Sequence, residues 1–510
     1  MTDGSKISAR TSGVRRRQLL AGAAVAGLGA LVAVEVANSS GRPIDLPLLR
    51  PAVLTDDVKL RHLLRRAGFG ASATEFEQYR QLGLSRTIDR LLNYEGVDNG
   101  ALEARLKRLH LNMNVRGDLE RWWLLRMIYT ARPLEEKMTL FWHGLLTSAI
   151  SKVGRAEPMY VQNQFLRASG LGSFADILKG ISKDPAMMVW LDLQTNRKGH
   201  ANENYARELM ELFSMGVGHY TEQDVRESAR AFTGWAVRRK ALGPKEFHFE
   251  SVFLPRQHDE GSKTFLGHTG NFNGDDVVDI IVQQPATADY LARRLFAFFA
   301  YPNPTDDVLK PLVDAYTASH YSIKAMLRAL FTSEAFYAPR AYRSLIKSPA
   351  ELVAGTARVL GADVDGRGLP QMMVQMGQEL FNPPNVAGWP GGAAWLTSGT
   401  WLARLNFVNR VVASLGPTSV SQQISRVVAR DAAAHVPSPT DGATSPDEIV
   451  DRLAGLLLDG HINSVQRQIL VDYATGGART GSPSATPAWQ DERHRGALYL
   501  ALAMPEYHLA

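Results

Sequence analysis

Residues 199–225, GHANENYARELMELFSMGVGHYTEQDV, crowd two histidines and five carboxylates into 27 positions. Such a density can serve acid/base work or hold a divalent metal, and it can equally decorate a solvated helix. From Asn202 to Phe213 the pattern is helical, with Tyr205, Leu209, Leu212 and Phe213 on one face. Glu208 falls three residues after Tyr205 and four before Leu212, at that face and partly buried. Glu203, Arg207 and Glu211 alternate in sign at i, i+4 and i+8, the pattern of surface ion pairs worth roughly 0.2–0.5 kcal/mol each. Thr221 with Asp224 makes a capping box for a second helix running toward Gly234, which places His219 near the apex of the intervening turn. The Glu208 to His219 spacing matches no standard metal signature.

Other chemistry-bearing residues lie outside this hairpin. His258-Asp259 sits in the polar loop QHDEGSKTFLG; His258 can act as a base or ligand, and Asp259, with Gly261 close behind, reads as a turn residue. Lys263 reads as a solvated lysine that could meet an anionic group. Arg197, just before the charged helix, could clamp a carboxylate or phosphate, or pair with Asp192 or Glu208. His143 lies on a helix opened by Pro133, about 120° from its apolar face, and is expected at a cleft edge or surface. Trp389, Trp395 and Trp401, in NPPNVAGWPGGAAWLTSGTW, could stack on sugar rings or pack an ordered loop onto the core.

The elements that must position these groups are mostly helices. VKLRHLLRRAGFG, DLERWWLLRMIYTAR and PLEEKMTLFWHGLLTSAI all show helical periodicity, while period-2 alternation is scarce. Residues 236–275 read as a long polar loop with a small hairpin near FHFESVFL. The stretches LRALFTSEAFYAP and LYLALAMPEYHLA resemble each other as helical closing units. The expectation is a mainly α-helical fold with few short strands, its main domain over 57–415. A C-terminal helical section over 416–510 is set off by flexible surface loops.

The composition excludes several functions. With no cysteine there is neither disulfide nor thiolate chemistry. Of the net +6 charge, residues 1–37 hold +3, leaving +3 for the other 473 residues, and no basic stripe marks a nucleic-acid partner. No G-x-S-x-G elbow, P-loop or H-E-x-x-H occurs. At the N-terminus, Arg15–Arg17 precede an apolar run from Leu19 to Val34, too short for the roughly 20 residues of a bilayer span. Residues 1–37 are therefore expected to be a twin-arginine-like export signal, with 38–56 a linker. Export to the periplasm, envelope or exterior follows, with membrane contact only through this segment if it is retained.

Together, MTLFWHGLLTS, DPAMMVWLDLQTNRKG, NENYARELMELFSMGVGHYTEQDVRESARAFTGW and FNPPNVAGWPGG resemble, in order, the bacterial exported family known as domain of unknown function 1800. The resemblance implies export and, as partner, a sulfatase-like companion; it implies no reaction. Its pattern takes in His143, Asp192, Asn196, Arg197, Glu208, Glu211, Tyr220, His258, Asp259 and Lys263. The family usually reads Trp-His-Asn-His where this chain has Trp142-His143-Gly144-Leu145. The leading expectation is an exported enzyme acting on an envelope or extracellular polymer or metabolite. Glu208 would be its acid/base or metal-ligand carboxylate, with His258 and His143 as partners or fellow ligands of a divalent metal, and Arg197 would orient an anionic group. The alternative is a non-catalytic binding or assembly protein. An enzyme requires Glu208, His258 and Arg197 to converge on one open pocket.

Overall fold

The structure is a computed structural model describing residues 53–241, 247–414, 445–475 and 487–510. The expected export segment and most of both flexible loops lie outside these residues. The described chain is mainly α-helical, with two small antiparallel ribbons and no helix long and apolar enough to cross a membrane.

The helices that frame the sites begin with α1 (Asp56–Arg66), α2 (Arg116–Tyr129) and α3 (Pro133–Leu145). They continue through α4 (Ala156–Ser169) and α5 (Pro185–Trp190) to the charged pair α6 (Asn204–Glu211) and α7 (Glu222–Ala231). Strands β1 (Trp235–Ala241) and β2 (Phe247–Phe253) form one ribbon, β3 (Lys263–Phe265) and β4 (His268–Gly270) the other. After them come α8 (Pro285–Phe299), α9 (Pro349–Val359), α10 (Ser398–Ser414), α11 (Pro446–Leu458), α12 (Ser464–Thr475) and α13 (Pro487–Ala503). Local signals set several ends: Pro133 occupies the first turn of α3, and Thr221 with Asp224 closes a reciprocal capping box on α7. The two similar stretches, 327–339 and 498–510, both form an α-helix followed by a short 3-10 turn.

Two large cores share the molecule, and α3 lies between them. Leu134, Met138, Phe141, Trp142 and Leu145 enter the first, alongside Tyr205, Leu209 and Phe213 of the charged hairpin. Leu140 enters the second, with α2, α9 and residues of the C-terminal helices such as Leu453, Leu457, Leu498 and Tyr507. Helix α3 is consequently buried all round, Gly144 alone being half-exposed. Its charges survive there because they are paired. Glu136 accepts from Arg126 and Arg167 at 2.8 Å each and from the Trp123 indole at 3.2 Å. Lys137 donates to the Gly68 carbonyl at 3.0 Å and to Glu351.

The C-terminal helices α11 and α13 are tied to the helices before them by buried polar links as well as by the shared core. Asp459 pairs with Arg65 at 3.0 Å and Arg343 at 3.1 Å and accepts from the Tyr342 hydroxyl at 2.7 Å. Lys347 donates to the Tyr507 carbonyl at 2.6 Å. A small cavity of about 50 Å³ remains among Arg61, Arg65, Lys347 and Asp459.

Candidate functional site

The charged hairpin is built from the inside out. Tyr205, Leu209, Met210 and Phe213 are fully buried, and the Tyr205 hydroxyl lies 2.5 Å from that of Ser182. This fixes the outer face. Arg207 pairs with Glu203 at 3.3 Å and with Glu222 of α7 at 2.7 Å, so it bridges the hairpin rather than reaching Glu211. Glu211 instead accepts from the Tyr220 hydroxyl at 3.0 Å. Glu208 is half-buried, and burial together with the Glu211 charge raises its carboxyl above the usual range. Neither Arg197 nor His258 is among the charges acting on it.

The asparagines before α6 knit its loop. Asn196 is buried, donates to the Ala229 carbonyl at 2.7 Å and accepts from the Asn202 amide at 2.9 Å. The Lys198 amide donates to the Gln257 carbonyl at 2.8 Å, bringing the Arg197 loop against the His258 loop. Arg197 itself is exposed and pairs with neither Asp192 nor Glu208; Asp192 is taken by Lys152 at 2.9 Å. His258 is half-buried, and its Nδ1 donates to the Thr233 carbonyl at 2.9 Å. Gly234, at φ 96, lets that loop close: a Cβ there would sit 3.1 Å from the His258 Cβ.

Asp259 serves its turn, accepting from the Gly261 amide at 2.8 Å and, through both oxygens, from Arg230 at 2.8 and 3.2 Å. The Arg230 hydrogen bonds hold its carboxyl down to about 2. Lys263 corrects the expectation of a solvated lysine. It is 1% exposed, and its ammonium donates to the Asp259 and Gly261 carbonyls at 2.6 and 3.0 Å. It staples the loop and is not open to an anion.

His143 is a second correction. It is 1% exposed, with ring centroids 5.5 Å from Trp123, 5.7 Å from Phe381 and 5.5 Å from Trp389. Helical geometry set it off the apolar face of α3, but α3 has a core on each side, so that flank is buried too. Desolvation drives its pKa down to about 3, and Nε2 has no partner. Glu208, His258 and His143 do not assemble as metal ligands: among the described residues no three His, Asp or Glu side chains form a group that could hold a metal.

The larger opening lies elsewhere, in a cleft of about 450 Å³ between α3, α8, the residues around Ser348 and the Gly/Pro/Trp loop 389–395. That volume is in the range of small-molecule sites. Leu140, Phe141, Gly144 and Leu145 of α3 and Arg294 and Phe298 of α8 line it, with Arg66, Glu351, Gln378, Trp389 and Trp395. Arg197, Glu208, His258 and His143 line neither this cleft nor the small cavity. Both positions at which the chain departs from Trp-His-Asn-His, Gly144 and Leu145, are in the cleft wall. Trp401 is not; it packs on His508 at 4.7 Å.

Sequence reasoning missed the polar centre of this cleft. Glu351 closes the cap of α9, accepting from the Ser348 amide at 2.8 Å, and also faces Lys137 and Arg66, the latter at 3.9 Å. Burial opposes its ionisation, but Lys137 and Arg66 win and hold the carboxyl at about 2. The Ser348-Pro-Ala-Glu351 capping box was visible in the sequence; the two cations on the same carboxylate, 214 and 285 positions upstream, were not.

Among the described residues, fold and cleft together describe a mainly α-helical protein with two large cores and an open, aromatic-walled cleft. The chain belongs to the family described as protein of unknown function (DUF1800), whose pattern it matches over residues 62–509. No curated protein and no solved structure matches it.

Proposed function

We propose that this protein is a non-catalytic binding protein, exported to the cell envelope or beyond, that holds a polar, ring-bearing ligand of the saccharide type in the cleft. The observation that carries this is the pairing of two tryptophans, Trp389 and Trp395, with Arg66, Glu351, Gln378 and Arg294 around one 450 Å³ opening. Flat indole faces suit the apolar faces of sugar rings, and the polar groups suit their hydroxyls. Glu351, ionised and neutralised by Lys137 and Arg66, is poorly suited to donate or accept a proton. The test is titration of soluble envelope polysaccharide fragments into the full chain, followed by tryptophan fluorescence. Trp389→Ala loses binding, Trp389→Phe retains most of it, and Glu208→Gln binds as the wild type does.

One observation favours a second, enzymatic reading. Glu208 has a raised carboxyl, next to Glu211 and Tyr220, as an acid/base group requires. Under that reading Glu208→Gln loses an activity or phenotype that Trp389→Ala keeps. A sulfatase-like companion remains the partner suggested by the family resemblance, and co-purification from the native host tests it.

A further inference from the structure

Resting on that reading, we infer that the ligand of the cleft is an acidic saccharide whose acid group is seated at Arg294. Two cations, Arg66 and Arg294, line the cleft against one carboxylate, Glu351. That carboxylate already serves Arg66 and the buried Lys137. Its charge is spent within the wall, and the surplus around the cleft is positive. Arg66 is 1% exposed and anchored by its Nε to the Phe299 carbonyl at 2.8 Å, so it belongs to the wall.

Arg294 differs. It lies exposed on α8 where that helix borders the cleft, and no carboxylate among the described residues is within ion-pair distance of it. Its neighbour Arg293 is engaged by Asp289 at 2.7 Å and by Asp306. An arginine that lies 6.0 Å from the Tyr290 ring but faces no carboxylate, at the mouth of a positively biased, aromatic-walled cleft, suits a carboxylate or sulfate carried on a sugar, since guanidinium presents a planar fork to either group. A neutral glycan can accept from that guanidinium but leaves its charge unmatched.

The full chain is titrated with polygalacturonate, dextran sulfate and neutral dextran of matched length, at low salt and at high salt. At low salt the acidic polymers bind at least about tenfold tighter than neutral dextran, and the preference shrinks as salt screens the charge. Arg294→Gln, an exposed substitution, lowers acidic-polymer affinity about three- to tenfold and neutral-dextran affinity by less, so the preference for acidic polymers narrows. Preference for polygalacturonate alone assigns the ligand a carboxylate, and preference for dextran sulfate alone a sulfate. Equal binding of neutral and acidic polymers overturns this inference while the cleft reading stands. Arg294→Gln with its acidic preference intact overturns the placement at Arg294. Binding of none of the three overturns inference and reading together.

Discussion

Gly388 is seated directly on the carbonyl of Gly144: a Cβ added at Gly388 would lie 2.4 Å from that oxygen. The Gly/Pro/Trp loop thus meets α3 backbone to backbone, at the one position of α3 that is not fully buried. Trp389 follows immediately, its ring over His143 on one side and the cleft on the other.

Gly388→Ala is therefore expected to unseat the loop. The residue has φ 87, where a Cβ is strained, and the clash with Gly144 adds to it, for a cost of about 1–3 kcal/mol. Thermal unfolding should show a lower midpoint, and cleft binding should fall with it. An unchanged midpoint would show that the loop does not sit on α3 as described.

Glu351→Gln should destabilise by about 3–5 kcal/mol, because Lys137 and Arg66 would be left buried without a counter-charge. The wild type carries the matching pH signature. The folded carboxyl is held at about 2, below its ordinary 4.5, so its contribution is complete above about pH 4.5 and lost as pH falls toward 2. Chemical denaturation across that range, wild type against variant, should show the difference closing at the acid end.

Asp184 carries the opposite signature. It is fully buried, caps α5 by accepting from the Met187 amide at 2.9 Å and accepts from Gln162 at 2.7 Å. Desolvation raises its carboxyl from 3.8 to about 7. The folded state therefore holds this proton more tightly than the unfolded chain, and stability falls as pH rises from about 4 to about 7, by at most about 1.4 kcal/mol per unit. Asp184→Asn keeps the cap and removes the titration. The variant should gain on the wild type between about pH 4 and about pH 7; a constant difference across that interval would refute the assignment.

His143→Leu replaces a neutral ring in an aromatic cage by an apolar side chain of similar volume. Stability should change by less than about 1.5 kcal/mol, and metal content should not change. Loss of bound metal in the variant purified from its native host would return His143 to the list of ligands.

Much of this architecture was legible in the chain. Helical periodicity, Pro133 at a helix start, the Thr221–Asp224 capping box and the turn at Asp259-Gly261 are local, each set by a few neighbouring residues and the backbone geometry they favour. The hairpin near FHFESVFL also forms, as β2 paired to β1. Those signals also identified the charged hairpin as a pair of helices, with Arg207 in surface ion pairs.

What only the tertiary structure decided is which flank of each helix is covered, and by what. Periodicity finds one apolar face, so it put His143 off the core, whereas α3 packs between two cores and has no outer side. Lys263 looked solvated because its partners are backbone carbonyls, which no residue type reveals. The cleft and its centre at Glu351 join α1, α3, α8 and α9 across more than two hundred positions, and pairing over such separations depends on how helices pack, a property that short-range spacing does not encode.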